Sequence, residues 1–221
     1  MSNFRRPKHL TTRRMQETRP NPPKEQAKAQ RPAREIRWNC PVAAKCGGCQ
    51  LTRLSYAEQL QWKQQRVTEL LDGICEVRPI LGMDDPFHYR NKVHAVLAVD
   101  KAGRPISGVY AMGTHRVVPC LIEDRRADRI IQTIVAMLPA YKLRIYNEYT
   151  HRGFLRHILI RTGHVTGQIM VVLVATSLEF PGKKAFVQEL IQRHPEITTV
   201  VLNCNQRETS MVLGTKEITL Y

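Results

Sequence analysis

Three cysteines fall within ten residues, as Cys40-x5-Cys46-x2-Cys49. A Cys-x2-Cys pair lets two thiolates reach one metal centre from a tight turn. Gly47 and Gly48, between them, leave the backbone free for unusual φ values and close approach. A four-thiolate site needs one more ligand, and Cys75, Cys120 and Cys204 are the candidates. Cys120 is preferred because it follows Pro119 at an expected strand end, where a fixed backbone can aim a side chain at a distant loop. Cys75, between a helix end and a strand, reads as a buried thiol, since unpaired cysteine is among the most buried residue types. Cys204 follows an apolar strand between Asn203 and Asn205. Structural zinc suits four thiolates, and so does a [4Fe–4S] cluster. Spacing does not separate them.

Six cysteines in a chain with no secretory signal point to metal or catalysis before disulfides, and to a cytoplasmic location. The basic start at Arg5, Arg6 and Lys8 is followed by no apolar stretch. No apolar run approaches the roughly 18–20 residues that span a bilayer. The 221 residues carry a formal charge of +15. Such a charge favours a polyanionic partner, because neutralising phosphates releases condensed counterions. It disfavours a ferredoxin-like electron carrier.

The elements that must position these residues begin near Trp38. Residues 1–39 hold eleven Lys and Arg against three Glu, with five prolines. They have too little apolar surface to offset the entropy of ordering, so 1–37 reads as a disordered basic arm. A cysteine loop and helix occupy 38–73. Ser55 and Glu58 have capping-box spacing, Tyr56, Leu60, Val67 and Leu71 share a helical face, and Gly73 ends the helix. A central domain follows over 74–217. Strands are expected at Glu76–Leu81, Tyr89–Val99, Ile106–Met112, Thr114–Pro119, Phe154–Arg161, Gln168–Thr176 and Thr198–Asn203. Helices are expected over Asp124–Leu138 and Lys183–Arg193. The pattern is α+β: a mostly antiparallel sheet with helices on one face.

The cysteine loop, Cys40-Pro41-x4-Cys46-Gly47-Gly48-Cys49-Gln50, and the following Tyr56-x2-Gln59-Leu60-x2-Lys63 resemble the bacterial RNA (uracil-5-)-methyltransferases that modify 23S ribosomal RNA. The likeness continues through Tyr89-Arg90-Asn91-Lys92, Gly108-x-Tyr110, Thr114-His115, Cys120 and Gly153-x-Leu155-Arg156-His157 to Arg161. It covers residues 38–214. The resemblance implies a [4Fe–4S] cluster on Cys40, Cys46, Cys49 and Cys120. It also implies S-adenosylmethionine as methyl donor, and a cysteine nucleophile and general base that act on uracil C6 and C5.

The twelve glycines form no Gly-x-Gly loop after a strand, so the Rossmann-like domain that binds S-adenosylmethionine in that family is expected to be absent. No Lys or His lies close around Cys204 to lower its pKa, so it does not read as the nucleophile. The chain therefore reads as the N-terminal and central portion of such an enzyme, monomeric and inactive alone. A stand-alone RNA-binding module with a structural cluster is the rival reading.

Arg90, Lys92 and Arg156 are the candidate RNA contacts. Arg156 and Arg161 have opposite parity along one strand, so they share a face only if a bulge intervenes. His115 reads as a turn cap, or as a hydrogen-bond donor behind the cluster. Phe87 and Tyr89 divide between core packing and base stacking.

Overall fold

The fold turns on a helix whose apolar residues all face one way. Ala127, Ile130, Ile131, Ile134 and Leu138 recur at helical spacing, and all are buried against the sheet in a computed structural model that describes residues 40–208 and 211–221. The expected basic arm over 1–37 lies outside the described residues. Helix α1 (Ala43–Cys46) is a single turn, and α2 (Tyr56–Leu70), α3 (Arg125–Met137) and α4 (Lys183–Arg193) are longer. The strands are β1 (Lys92–Val99), β2 (Pro105–Tyr110), β3 (Val117–Val118), β4 (Leu155–Thr162), β5 (Ile169–Ala175), β6 (Ile197–Cys204) and β7 (Lys216–Thr219).

They form one seven-stranded sheet in the order β3-β2-β1-β4-β5-β6-β7. Every pairing is antiparallel except β5 with β6. That pair is joined through α4, because parallel neighbours need a crossover rather than a hairpin. Val93, Ala95 and Leu97 of β1, Ile158 and Ile160 of β4, and Val171 and Leu173 of β5 share one core with α3 and with Phe186 and Leu190 of α4. Both long sheet-packed helices thus lie on one face. The opposite face carries a smaller cluster of Leu159, Val172 and Val174, covered in part by Val212.

The mostly antiparallel α+β expectation agrees with this architecture, while the expected strand Thr114–Pro119 shortens to β3, β7 was not expected, and other details differ. Glu76–Leu81 forms no strand. Pro79 lacks an N–H, and the segment is held by a helix instead: the Ile80 N–H donates to Gln64 Oε1 at 2.6 Å, and Gln64 Nε2 donates to the Arg78 carbonyl at 3.3 Å. The capping box that starts α2 forms as expected, yet the stripe expected along it is not a buried face. Val67 is 43% exposed, and only Tyr56 and Gln59 of α2 are buried. Cys75 is exposed rather than buried.

Asp124 caps α3, accepting the Arg126 N–H at 2.8 Å and the Thr162 hydroxyl at 3.0 Å. Its own N–H donates to the Arg90 carbonyl at 3.0 Å, and the Arg90 N–H donates to the Ile122 carbonyl at 2.8 Å. Burial alone would raise this carboxyl, but hydrogen bonds from Arg126 and Thr162 outweigh it and hold the group below its ordinary value. We predict that Asp124→Ala lowers unfolding free energy by roughly 1–2 kcal/mol in urea titration, the usual worth of a helix cap. Asp124→Asn, which keeps an acceptor, should lose distinctly less.

Candidate functional site

Cys40, Cys46, Cys49 and Cys120 line a single cavity, with Val42, Leu121 and Ile122 among its walls. Local structure explains how residues so far apart in sequence meet there. Cys46 closes the one-turn helix α1, its N–H donating to the Val42 carbonyl at 2.8 Å. Gly47 then turns the chain at φ +68°, and a Cβ at that position would press on the Met112 side chain. The Met112 N–H donates to the Lys45 carbonyl at 3.1 Å, which fastens the cysteine loop to the turn between β2 and β3. Strand β3 leads directly into Pro119 and Cys120.

The cavity's electrostatics follow from the partial burial of its thiols. Burial pushes the Cys49 thiol up, Arg90 opposes this, and Cys46 and Cys40 add to it. Burial likewise raises Cys120; the Ile122 backbone N–H opposes it, Glu123 adds to it, Arg90 opposes it and Cys46 adds to it. The thiols therefore sense one another, and Arg90 is the cation beside them. Glu123, buried nearby, is pushed up to about 7 by desolvation, helped by Asp128 and opposed by Arg90.

As a donor set, four thiols in an apolar wall suit zinc or an iron–sulfur cluster. Among the described residues, however, no group of three or more His, Cys, Asp or Glu is drawn together as ligands of one metal ion. The four thiols ring about 20 Å³, room for roughly one water-sized body. A single tetrahedral zinc would require sulfurs about 3.8 Å apart, from bonds of about 2.3 Å. Cys75 and Cys204 do not line the cavity.

The RNA-contact candidates separate. Arg90 and Lys92 are exposed, and Lys92 faces Arg161 across the β1–β4 ladder. Lys92 and Arg161 also share a groove with Asn91 and Gly163. Arg156, expected as an RNA contact, is buried, at only 3% exposed. Its Nη1 donates to the carbonyls of Asn205 and Arg207, its Nη2 to both oxygens of Glu148, and its guanidinium carbon lies 4.5 Å over the Tyr146 ring. The guanidinium fork is spent on holding loops and cannot clamp a phosphate. A register shift between Leu155 and His157 makes Arg156 the extra residue of a bulge, which is how it escapes the strand's alternation. His115 lies away from the cysteine cavity, its ring edge-on to Tyr110 and Tyr149. Tyr89 is exposed and Phe87 half-buried, its ring tilted on His88.

Sequence reasoning missed a second feature. On the sheet face opposite α3 and α4 a cleft of about 1160 Å³ is lined by His94, Tyr110, His115, Tyr149, Arg156 and His157, among others. The only sequence signal was the pair of histidines at alternate-face positions in apolar strands. The His94 and His157 rings meet edge to face at 4.8 Å. No helix among the described residues is long and apolar enough to cross a membrane.

Comparison with known proteins places this geometry. No family model matches the chain. A Bacillus cereus protein named as an uncharacterized RNA methyltransferase is 37% identical over 190 residues, which cover 82% of this chain and 41% of the relative. A Clostridium tetani protein of the same name is 38% identical over 196 residues, 86% of this chain and 42% of the relative. The chain spans about two fifths of the length of these relatives. Among solved structures, Pyrococcus abyssi tRNA (uracil-54, C5)-methyltransferase in complex with S-adenosyl-L-homocysteine shares the fold. Its TM-score is 0.55 at 24% identity, over 79% of this chain and 40% of that one. The relatives are RNA methyltransferases by name, and the sheet with its one-sided helices is a fold that an RNA methyltransferase contains.

The buried His157 supplies a test of the cleft's chemistry. Burial, with lesser effects from His94 and Arg156, lowers its pKa from 6.5 to about 3. Between those values the unfolded chain binds a proton that the folded chain refuses. Stability present above pH 6.5 is therefore lost as pH falls toward about 3. We predict that His157→Gln loses less stability than the parent between about pH 7.5 and about pH 5, by about 2 kcal/mol in paired urea titrations.

Proposed function

We propose that this chain is the cluster-bearing and RNA-contacting portion of an S-adenosylmethionine-dependent enzyme that methylates uridine C5 in 23S ribosomal RNA. The ring of Cys40, Cys46, Cys49 and Cys120 around one cavity carries the reading. The RNA methyltransferases to which the chain is similar support it.

In this reading the four thiolates hold a [4Fe–4S] cluster. Its use is structural: the cysteine loop has little core of its own, and metal ligation supplies folding energy that burial does not. Seating a cluster requires the loop of residues 40–54 to stand further from Pro119–Ile122 than it does around a cavity of about 20 Å³. Arg90 offsets the negative charge of the thiolates. Arg90 and Lys92 meet the RNA backbone as phosphate contacts, which position a substrate without reading its sequence. Methyl transfer, with its nucleophile, base and bound S-adenosylmethionine, belongs to the remainder of the whole protein, so this portion alone is inactive. The protein works as a monomer in the cytoplasm, where cysteines free of disulfides persist.

Disrupting the coding region in its native host and mapping modified nucleosides in ribosomal RNA fragments by mass spectrometry tests the reading. Loss of 5-methyluridine from 23S ribosomal RNA, restored by the intact gene, is the expected outcome. Loss from transfer RNA alone would move the substrate, and no loss from either would refute the proposal.

A further inference from the structure

The cleft on the face opposite α3 and α4 has polar lining residues whose internal bonding is incomplete among the described residues. His94 Nε2, His157 Nδ1 and Arg156 Nε are buried and have no hydrogen-bond partner among the described residues. His157 is 7% exposed, and Arg156 is the buried arginine already described. Buried polar atoms are nearly always paired, so three unpaired ones on residues that line a single cleft mark its wall as built for more than packing.

The same cleft holds a ladder of rings. Tyr110 and His115 meet edge to face at 5.2 Å, and so do His115 and Tyr149, whose hydroxyl lies 3.1 Å from His115 Nδ1. Tyr149 is 75% exposed. Its backbone is nevertheless fixed, because Asn147 Oδ1 accepts the N–H groups of Tyr149 and Thr150 at 2.9 and 3.0 Å. An Asn147–Arg152 bridge closes the same turn. An exposed aromatic ring on a rigid turn is a stacking platform held ready without a further ordering cost.

We propose that this cleft seats one unpaired RNA base, stacked on Tyr149 and turned toward the His94 and His157 rings that line it. This rests on the RNA reading given above and deepens it. Neutral imidazoles each offer one donor and one acceptor nitrogen, the mixed pattern that a base edge presents. Glu148 and Glu208 also line the cleft, so a phosphate is repelled from it. The phosphates have another place: Lys92 and Arg161 lie opposite each other in the ladder, and Lys92 is two residues before His94, about 7 Å along the strand. Alternation puts Lys92, His94 and Val96 on one side. A single strand can therefore run over the basic pair and turn a base into the cleft.

Fluorescence anisotropy with the whole 221-residue chain tests this. The probes are a single-stranded RNA of about ten nucleotides and an oligomer of the same length built of abasic riboses. Tyr149→Ala should weaken the intact RNA about tenfold, the loss of one stacked base, and leave the abasic oligomer unaffected. Lys92→Gln should weaken both alike. His157→Gln is the second variant, with the same expected selectivity. If Tyr149→Ala and His157→Gln weaken both probes equally, or neither, the base seat is overturned. Unchanged affinity for both would leave the cleft to a protein surface. Failure of the unaltered chain to bind either probe would overturn the RNA reading, and the base seat with it.

Discussion

Asp124 sits where four segments of the chain meet, and their mutual register depends on it. It ends the 119–123 segment and starts α3. Its N–H is taken by Arg90 at the entry to β1, and its carboxylate by Thr162 at the end of β4. Thr162 in turn donates its N–H to Asn91. A helix start would otherwise leave several N–H groups unpaired; here one of them is answered by a residue that also binds the sheet. The junction fixes α3 over the core and, on its other side, holds Cys120 where the cysteine loop can reach it.

One-sided burial follows. With α3 and α4 both on the same face, the opposite face is covered, among the described residues, in part where 205–208 and 211–214 are stapled down. Asn203 exchanges bonds with both backbone groups of Gly214, Asn205 donates to the carbonyls of Met211 and Val212, and Arg156 holds Asn205 and Arg207. These residues are polar and buried because they replace the backbone pairing that an irregular loop lacks. What remains of that face runs from the basic pair Lys92 and Arg161 to the histidines of the cleft.

Much of this was legible from residue order, for reasons that can be named. The α3 stripe and the Ser55–Glu58 box are local patterns, and local patterns survive folding. β5 and β6 were legible as strands, but their parallel pairing was not, since alternation does not report a strand's direction. β7 was missed because Lys216-Glu-Ile-Thr offers one apolar residue in four; its pairing with β6 is a tertiary fact. Glu76–Leu81 looked like a strand because its partner, the Gln64 side chain, lies on a helix. Arg156 looked like a surface cation, and the bulge that buries it leaves no mark in composition. Convergence of Cys120 on the cysteine loop was expected from its place after Pro119 and from family likeness together, whereas the exposure of Cys75 was not foreseen.

The cysteine ring joins the two halves of this account, since it depends on the Asp124 junction and lies beside Arg90 and the basic face. Purifying the chain without oxygen and assaying iron, acid-labile sulfide and zinc, in the parent and in Cys120→Ser, tests it most directly. The account predicts about four irons and about four sulfides per chain, as a [4Fe–4S] centre requires, and their loss in Cys120→Ser. Stoichiometric zinc without iron, or unchanged iron in the variant, would contradict it.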